Sequence, residues 1–143
     1  MRRNLLILVL GIMFLILITA LGTIITTIVP SHVTAQVQTA QAGPYQITLQ
    51  TDPNPPLITQ PAILSLQVLA KSSQQPVTGA RVTLASDMVA MGMGIDQVDA
   101  RPQGNGTYLA SVQFPMSGLW RIGVTIAVSG ATSASASFEV TAQ

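Results

Sequence analysis

Residues 44–143 alternate apolar and polar side chains with a period of two, and this pattern constrains the fold more than any other feature of the sequence. Successive side chains of a β-strand point to opposite faces of a sheet, so each apolar set marks the face that packs on a core. The sets are Tyr45, Ile47 and Leu49; Leu64, Leu66 and Val68; Val82 and Leu84; Tyr108, Ala110, Val112 and Phe114; Trp120, Ile122, Val124, Ile126 and Val128; and Ala134, Ala136, Phe138 and Val140.

Turn-forming sequences separate these runs, as expected where antiparallel strands reverse direction. They occupy residues 52–56, 75–79, 104–106, 115–118 and 129–130. Six or seven short strands at this spacing predict an all-β domain, an immunoglobulin-like antiparallel β-sandwich over residues 44–143. A barrel of similar strand number is the alternative. Trp120, Phe138 and Tyr108 are the aromatic candidates for the centre of the core.

An uncharged apolar run precedes this domain, from Leu5 to Val29. At about 1.5 Å per helical residue such a run crosses a hydrocarbon core of about 30 Å, so residues 1–29 are predicted to be a cytoplasmic N-terminus and a single transmembrane helix. Arg2 and Arg3 precede the run, and no Lys or Arg follows it before Lys71. The positive-inside rule therefore predicts a single-pass protein of the cytoplasmic (inner) membrane, with its C-terminal domain extracytoplasmic or periplasmic.

A cleaved signal peptide is the alternative interpretation of the apolar run, because small residues at 33 and 35, or at 40 and 42, suit a signal peptidase. The apolar core of a signal peptide usually has about 7 to 15 residues, so the greater length here favours a retained anchor. Residues 30–43 are rich in Ser, Thr, Gln and Ala and predict a flexible tether. Both interpretations place the domain in the same compartment.

The inventory of charged and reactive side chains argues against two classes of function. From Gly43 onward there are four basic and five acidic residues, which leaves no positive surface for nucleic acid. The chain has no cysteine and a single histidine, His32. Nucleophilic and general acid-base catalysis need a positioned partner that this inventory scarcely supplies, so we do not expect an enzyme.

Methionine is the unusual residue of the domain. The chain has six, and four lie beyond the apolar run and the initiator: Met88, Met91, Met93 and Met116. A thioether is a soft, uncharged ligand that suits Cu(I), and unlike a pair of cysteines it is not lost to a disulfide in an oxidising compartment. These four methionines are therefore the candidate metal ligands, with Cu(I) preferred over Cu(II) and Zn(II).

Strand geometry limits this hypothesis. In an extended strand Met91 and Met93 point to one face and Met88 to the other, inward face. A site that uses all three needs a bend, which Gly92, Gly94 or a bulge just before them can supply. The alternative is that the methionines are adaptable packing residues in the core or an apolar lip at one end of the sandwich.

Five segments in a fixed order carry a resemblance to a known family: GPY at 43–45, PVTGARV at 76–82, MVAMGMG at 88–94, GNGTY at 104–108 and FPMSGLW at 114–120. Together they resemble the YtkA-like domain family, which is related in plan to the periplasmic domain of FixH-type proteins. The resemblance implies a bacterial, membrane-anchored or exported immunoglobulin-like domain linked with copper handling or with the assembly of haem-copper oxidases. Unlike metallochaperones that mix His with Met, residues 43–143 contain no histidine.

Two functions remain open from the sequence. The first is an anchored binding module that carries or senses Cu(I) through Met91, Met93 and Met116, with Met88 as a further ligand, and passes copper to a receiving protein. The second is a non-catalytic accessory subunit whose helix docks against a larger respiratory or electron-transfer complex in the membrane. Convergence of the methionines favours the first function, and their dispersal favours the second.

Overall fold

The computed structural model describes residues 11–14, 33–91 and 96–143. Residues 11–14 are helical, and no helix in the described ranges is long and apolar enough to cross a membrane. The predicted membrane-spanning run lies almost wholly outside these ranges and stays a prediction. Val33–Gln143 form a unit of their own, to which the following description applies.

The described part of this unit folds into strands and turns, as the alternating pattern predicts. Nine strands are present in it: β1 (Val37–Ala42), β2 (Tyr45–Asp52), β3 (Ala62–Ala70), β4 (Arg81–Met88), β5 (Asp96–Asp99), β6 (Arg101–Gly104), β7 (Thr107–Val112), β8 (Gly118–Ala127) and β9 (Ala134–Ala142). The prediction of an all-β domain is confirmed. The strand number exceeds the predicted six or seven because β1, β5 and β6 do not show the alternation of apolar residues.

The strands form two antiparallel sheets. The first has the order β1-β2-β3-β7-β6 and the second has the order β5-β4-β8-β9. Among the described residues no strand of one sheet pairs with a strand of the other, which excludes the single closed barrel that the sequence left open. The two sheets share one apolar core. The chain passes between the sheets from β3 to β4, from β5 to β6 through Ala100, and from β7 to β8.

The core consists of the apolar sets that the alternation identifies. Large side chains with no more than about one hundredth of their surface exposed come from both sheets and include Ile47, Leu49, Leu64, Leu66, Val68, Val82, Leu84, Tyr108, Phe114, Ile122, Val124 and Ile126. Burial of such side chains stabilises a fold by roughly 1.5 to 3 kcal/mol each relative to exposure. The buried hydroxyl of Tyr108 donates to the Val77 carbonyl at 2.8 Å, so this polar atom is satisfied within the core.

The segment predicted as a flexible tether differs from expectation, because part of it is strand β1. All six residues of β1 pair with β2, from Val37 opposite Gln50 to Ala42 opposite Tyr45. Its side chains are mostly exposed or half-buried, so backbone pairing rather than apolar burial holds it. The Gln38 side chain also donates to the Glu139 carbonyl of β9 at 2.6 Å. The tether prediction is therefore wrong for residues 37–42, and the sandwich begins earlier than residue 44.

The crossing from β7 to β8 lies at the same end of the sandwich as the end of β4. Phe114 lies in this crossing, and its ring centroid is 5.5 Å from that of Trp120 in β8, in an edge-to-face arrangement. Strand β4 runs antiparallel to β8 and ends beside this crossing, with Met88 opposite Trp120. We call the end of the sandwich that carries Met88, Met91 and Met116 the methionine end.

Candidate functional site

Met88 is the buried member of the methionine group. It ends β4 on the inward face, as its parity predicts, and is 7% exposed. A Cβ atom placed on Gly118 would lie 2.8 Å from the Met88 Cε atom. Gly118 also has a φ of +141°, a conformation that side chains rarely adopt. Because Gly118 has no side chain, the Met88 side chain can occupy this space.

Met116 lies in the crossing between the sheets and is held there by Trp120. The Trp120 indole Nε1 donates to the Met116 carbonyl at 3.0 Å, and the ring itself is 5% exposed. The Met116 side chain is half-buried and packs against the core. Burial of Trp120 between the sheets, which the alternation of β8 predicts, is confirmed.

Met91 is the exposed member of the group, with 59% of its surface accessible. Strand β4 ends at Met88 and the chain turns at once, with the Met91 N–H donating to the Met88 carbonyl at 3.3 Å. The Val89 N–H donates to the Leu119 carbonyl at 3.1 Å, which holds the start of this turn against β8. The bend that a three-methionine site requires is therefore present, and Met91 does not continue the strand.

The structure brings Met88, Met91 and Met116 to one end of the sandwich. Met88 is buried, Met116 is half-buried and Met91 is exposed. Met93, the fourth candidate ligand, lies outside the described residues. Among the described residues, no group of three or more His, Cys, Asp or Glu side chains could hold a metal ion. The donors that the methionine end offers are uncharged thioethers, a set that fits Cu(I) and fits Zn(II) and Ca²⁺ poorly.

Gly118 and the indole N–H of Trp120 are the positioning groups that sequence reasoning missed. Both belong to the FPMSGLW segment, in which the spacing from Met116 to Trp120 allows the side-chain hydrogen bond back to the Met116 carbonyl. The sequence identified Trp120 only as a core residue. The reach of an indole to a carbonyl four residues earlier depends on the path of the crossing, which no local pattern specifies.

The one ion pair among the described residues lies away from the methionine end, at the edge formed by β4 and β5. Arg81 donates to the Asp99 carboxylate at 2.8 Å, and the Thr83 hydroxyl donates to its other oxygen at 2.9 Å. The Arg81 hydrogen bond, followed by that of Thr83, lowers the pKa of Asp99, and the bond to Asp99 raises the pKa of Arg81. Both side chains are solvent-exposed, so the pair contributes little to stability.

Comparison with known proteins gives one result. The sequence profile of the family described as YtkA-like matches residues 39–125, more than half of the chain. The matched segment includes all four methionines of the candidate site. No curated protein and no solved structure shows a significant match to the chain.

Proposed function

The chain belongs to the YtkA-like family, and from this premise we propose that it is a membrane-anchored, extracytoplasmic module that binds Cu(I) as cargo and has no catalytic activity. Its cargo is passed to a copper-receiving protein, in copper handling or in the assembly of a haem-copper oxidase. Family membership supports the β-sandwich module. The link with copper comes only from what the resemblance of the five sequence segments implies. The choice of Cu(I) comes from the side chains at the methionine end.

The observation that carries this proposal is the placement of Met88, Met91 and Met116 at one end of the sandwich. Met91 is exposed and Met116 is half-buried, whereas the buried Met88 side chain lies against Gly118. We assign Met91, Met93 and Met116 as ligands, with Met88 as the buried member of the set. Soft, neutral donors without a nearby acidic cluster discriminate for Cu(I) and against harder divalent ions.

The first test is a titration of the purified full-length chain with Cu(I), in detergent and under anaerobic reducing conditions, against a chromogenic Cu(I) chelator. We expect one Cu(I) per chain and no retention of Zn(II) against a mild chelator. The combined variant Met91→Leu, Met93→Leu and Met116→Leu keeps the apolar volume and removes three sulfur atoms. We expect it to weaken Cu(I) binding by about tenfold or more.

Met13→Leu is the matched control, because it removes a thioether outside the sandwich and is expected to leave Cu(I) binding unchanged. Volume-conserving apolar substitutions usually cost less than about 1.5 kcal/mol, so circular dichroism should show the triple variant folded. If that folded variant binds Cu(I) as tightly as the native chain, the methionines are packing residues. The accessory subunit of a larger membrane complex then becomes the better proposal.

The anchor has its own test. We expect the full-length chain, extracted from membranes, to retain its N-terminal segment, because residues 5–29 exceed the usual length of a signal peptide's apolar core. Intact-mass measurement checks this directly. A mature N-terminus at Gln36 or Gly43 would contradict retention of the anchor, although the domain would still be exported.

A further inference from the structure

Exposed large apolar side chains are concentrated at the methionine end. Among the described residues of Val33–Gln143 there are seven, and the fold brings all of them to this end or to the strand ends beside it. We call them the apolar patch: Val33, Val37, Leu57, Ile58, Ile63, Val89 and Met91.

Strand register places the first sheet's members of the patch. Val37 begins β1 opposite Gln50, and Ile63 lies at the start of β3 opposite Asp52. Leu57 and Ile58 lie in the loop that joins these ends of β2 and β3. The Ile58 N–H donates to the carbonyl of Gln143 at 2.9 Å, which fixes the loop beside the end of β9.

The N-terminal segment enters the sandwich at this same end. The Asn54 side chain donates to the Thr34 carbonyl at 3.1 Å, and the Thr141 N–H donates to the Thr34 hydroxyl at 3.0 Å. The Thr51 N–H donates to the Gln36 carbonyl at 3.0 Å. Residues 33–36 are therefore held against the loop after β2 and against β9.

The opposite end of the sandwich has a different surface. The turn between β3 and β4 exposes Lys71, Ser72, Ser73, Gln74 and Gln75, and the turn between β8 and β9 exposes Ser129 and Gly130. No exposed large apolar side chain is found at that end in the described part of the chain. The asymmetry shows that exposed apolar surface is confined to the end where the chain enters.

The short distance along the chain between the predicted membrane span and Val33 indicates what the apolar patch faces. Val33 lies four residues after Val29, the last residue of the predicted membrane span, and four extended residues cover at most about 14 Å. We propose that the methionine end docks on the lipid surface of the membrane through the apolar patch, an inference that rests on the anchor in the proposed function but not on copper binding.

The charge of this end indicates which lipid interaction is involved. Arg121 is exposed on β8, but its cross-strand neighbours are the acidic residues Asp87 and Glu139. Such an arrangement offers no basic cluster for anionic headgroups, so apolar side chains at the headgroup boundary supply the attraction. Docking should therefore occur on vesicles of zwitterionic phosphatidylcholine.

The chain has no cysteine, so one introduced cysteine can carry a single fluorescent label in the full-length protein. We would label Leu57→Cys, Val89→Cys and, as the matched control at the opposite end, Ser129→Cys with an environment-sensitive nitrobenzoxadiazole dye. Each variant is reconstituted into phosphatidylcholine vesicles with and without doxyl-labelled lipid, a short-range quencher. We expect doxyl lipid to remove at least about half of the emission at positions 57 and 89 and little at 129.

A second set of variants separates docking from mere closeness to the membrane. Adding Ile58→Ser and Met91→Ser to the labelled Leu57→Cys chain should restore most of the emission, with circular dichroism reporting an unchanged fold. Equal quenching at all three positions, or full quenching in the serine variant, would overturn the proposal. A blue-shifted label at position 57 without lipid quenching would instead indicate contact with a second copy of the chain and would also overturn it. Intact mass and Cu(I) titration of the native chain, in which Met91 is unchanged, report independently on the proposed function.

Discussion

Replacing Trp120 with alanine is expected to lower the free energy of unfolding by about 3 to 5 kcal/mol. The indole is almost fully buried, packs edge-to-face on Phe114 and lies opposite Met88 on the neighbouring strand. Its removal leaves a cavity at the junction of the two sheets and leaves the Met116 carbonyl without its donor. In a domain without disulfides this loss is a large share of the total stability.

Urea unfolding of the full-length chain in detergent, followed by circular dichroism at a strand wavelength, measures this loss. Arg121→Ala is the matched control, because it changes the adjacent, outward-facing side chain of β8 and should shift stability by no more than about 0.5 kcal/mol. Trp120→Phe keeps an aromatic ring but removes the N–H donor, so its loss should be intermediate. A loss below about 1 kcal/mol for the alanine variant would contradict the structural role assigned to Trp120.

The sequence predicted the central strands well because their side chains alternate between a core and a surface. Ile47, Leu66 and Val124 lie inside, and their neighbours in the chain face outward. This relation between parity and burial is local, since it follows from the two-residue repeat of a strand. It therefore needs no knowledge of which strands are neighbours.

The alternation of apolar and polar side chains did not predict strands β1, β5 and β6. Strands β5 and β6 have four residues each and expose nearly all of their side chains, so no apolar set marks them. They exist because their backbones pair with β4 and β7, the strands next to them in the chain. Backbone pairing leaves no apolar pattern in the sequence, and for this reason β1, which pairs with the next strand β2, was mistaken for a tether.

The sequence predicted which methionines form the candidate site, but it did not predict how deeply Met91 and Met116 are buried. The inward parity of Met88 follows from β4, and its burial agrees with that prediction. The half-burial of Met116 and the exposure of Met91 depend on turns whose paths are set by contacts across the sandwich, such as the Trp120 N–H on the Met116 carbonyl. The spacing of residues in the sequence does not predict these contacts.

Gly106→Ala is the second substitution for which we expect a large effect, a loss of about 2 to 4 kcal/mol in the free energy of unfolding. Gly106 has a φ of +71°, and a Cβ atom there would lie 2.6 Å from the Val68 carbonyl oxygen and 2.9 Å from the Pro76 Cβ. The Val68 carbonyl oxygen is a backbone atom, so it cannot relieve the overlap by a change of rotamer. The clash would also disturb the hydrogen bond from the Val68 N–H to the Gly106 carbonyl, at 2.8 Å.

Gly104→Ala separates steric overlap from backbone strain, because Gly104 belongs to the same turn. Its φ is also positive, at +94°, yet a Cβ atom there would meet nothing within 4 Å. Strain alone should cost about 1 to 2 kcal/mol at Gly104, so the Gly106 variant should unfold at a clearly lower urea concentration. Equal losses for the two variants would show that the chain around Gly106 admits a Cβ atom at no extra cost. The larger loss at Gly106 would place the close approach of β3 to this turn among the main constraints on the first sheet, at the end of the sandwich opposite the methionines.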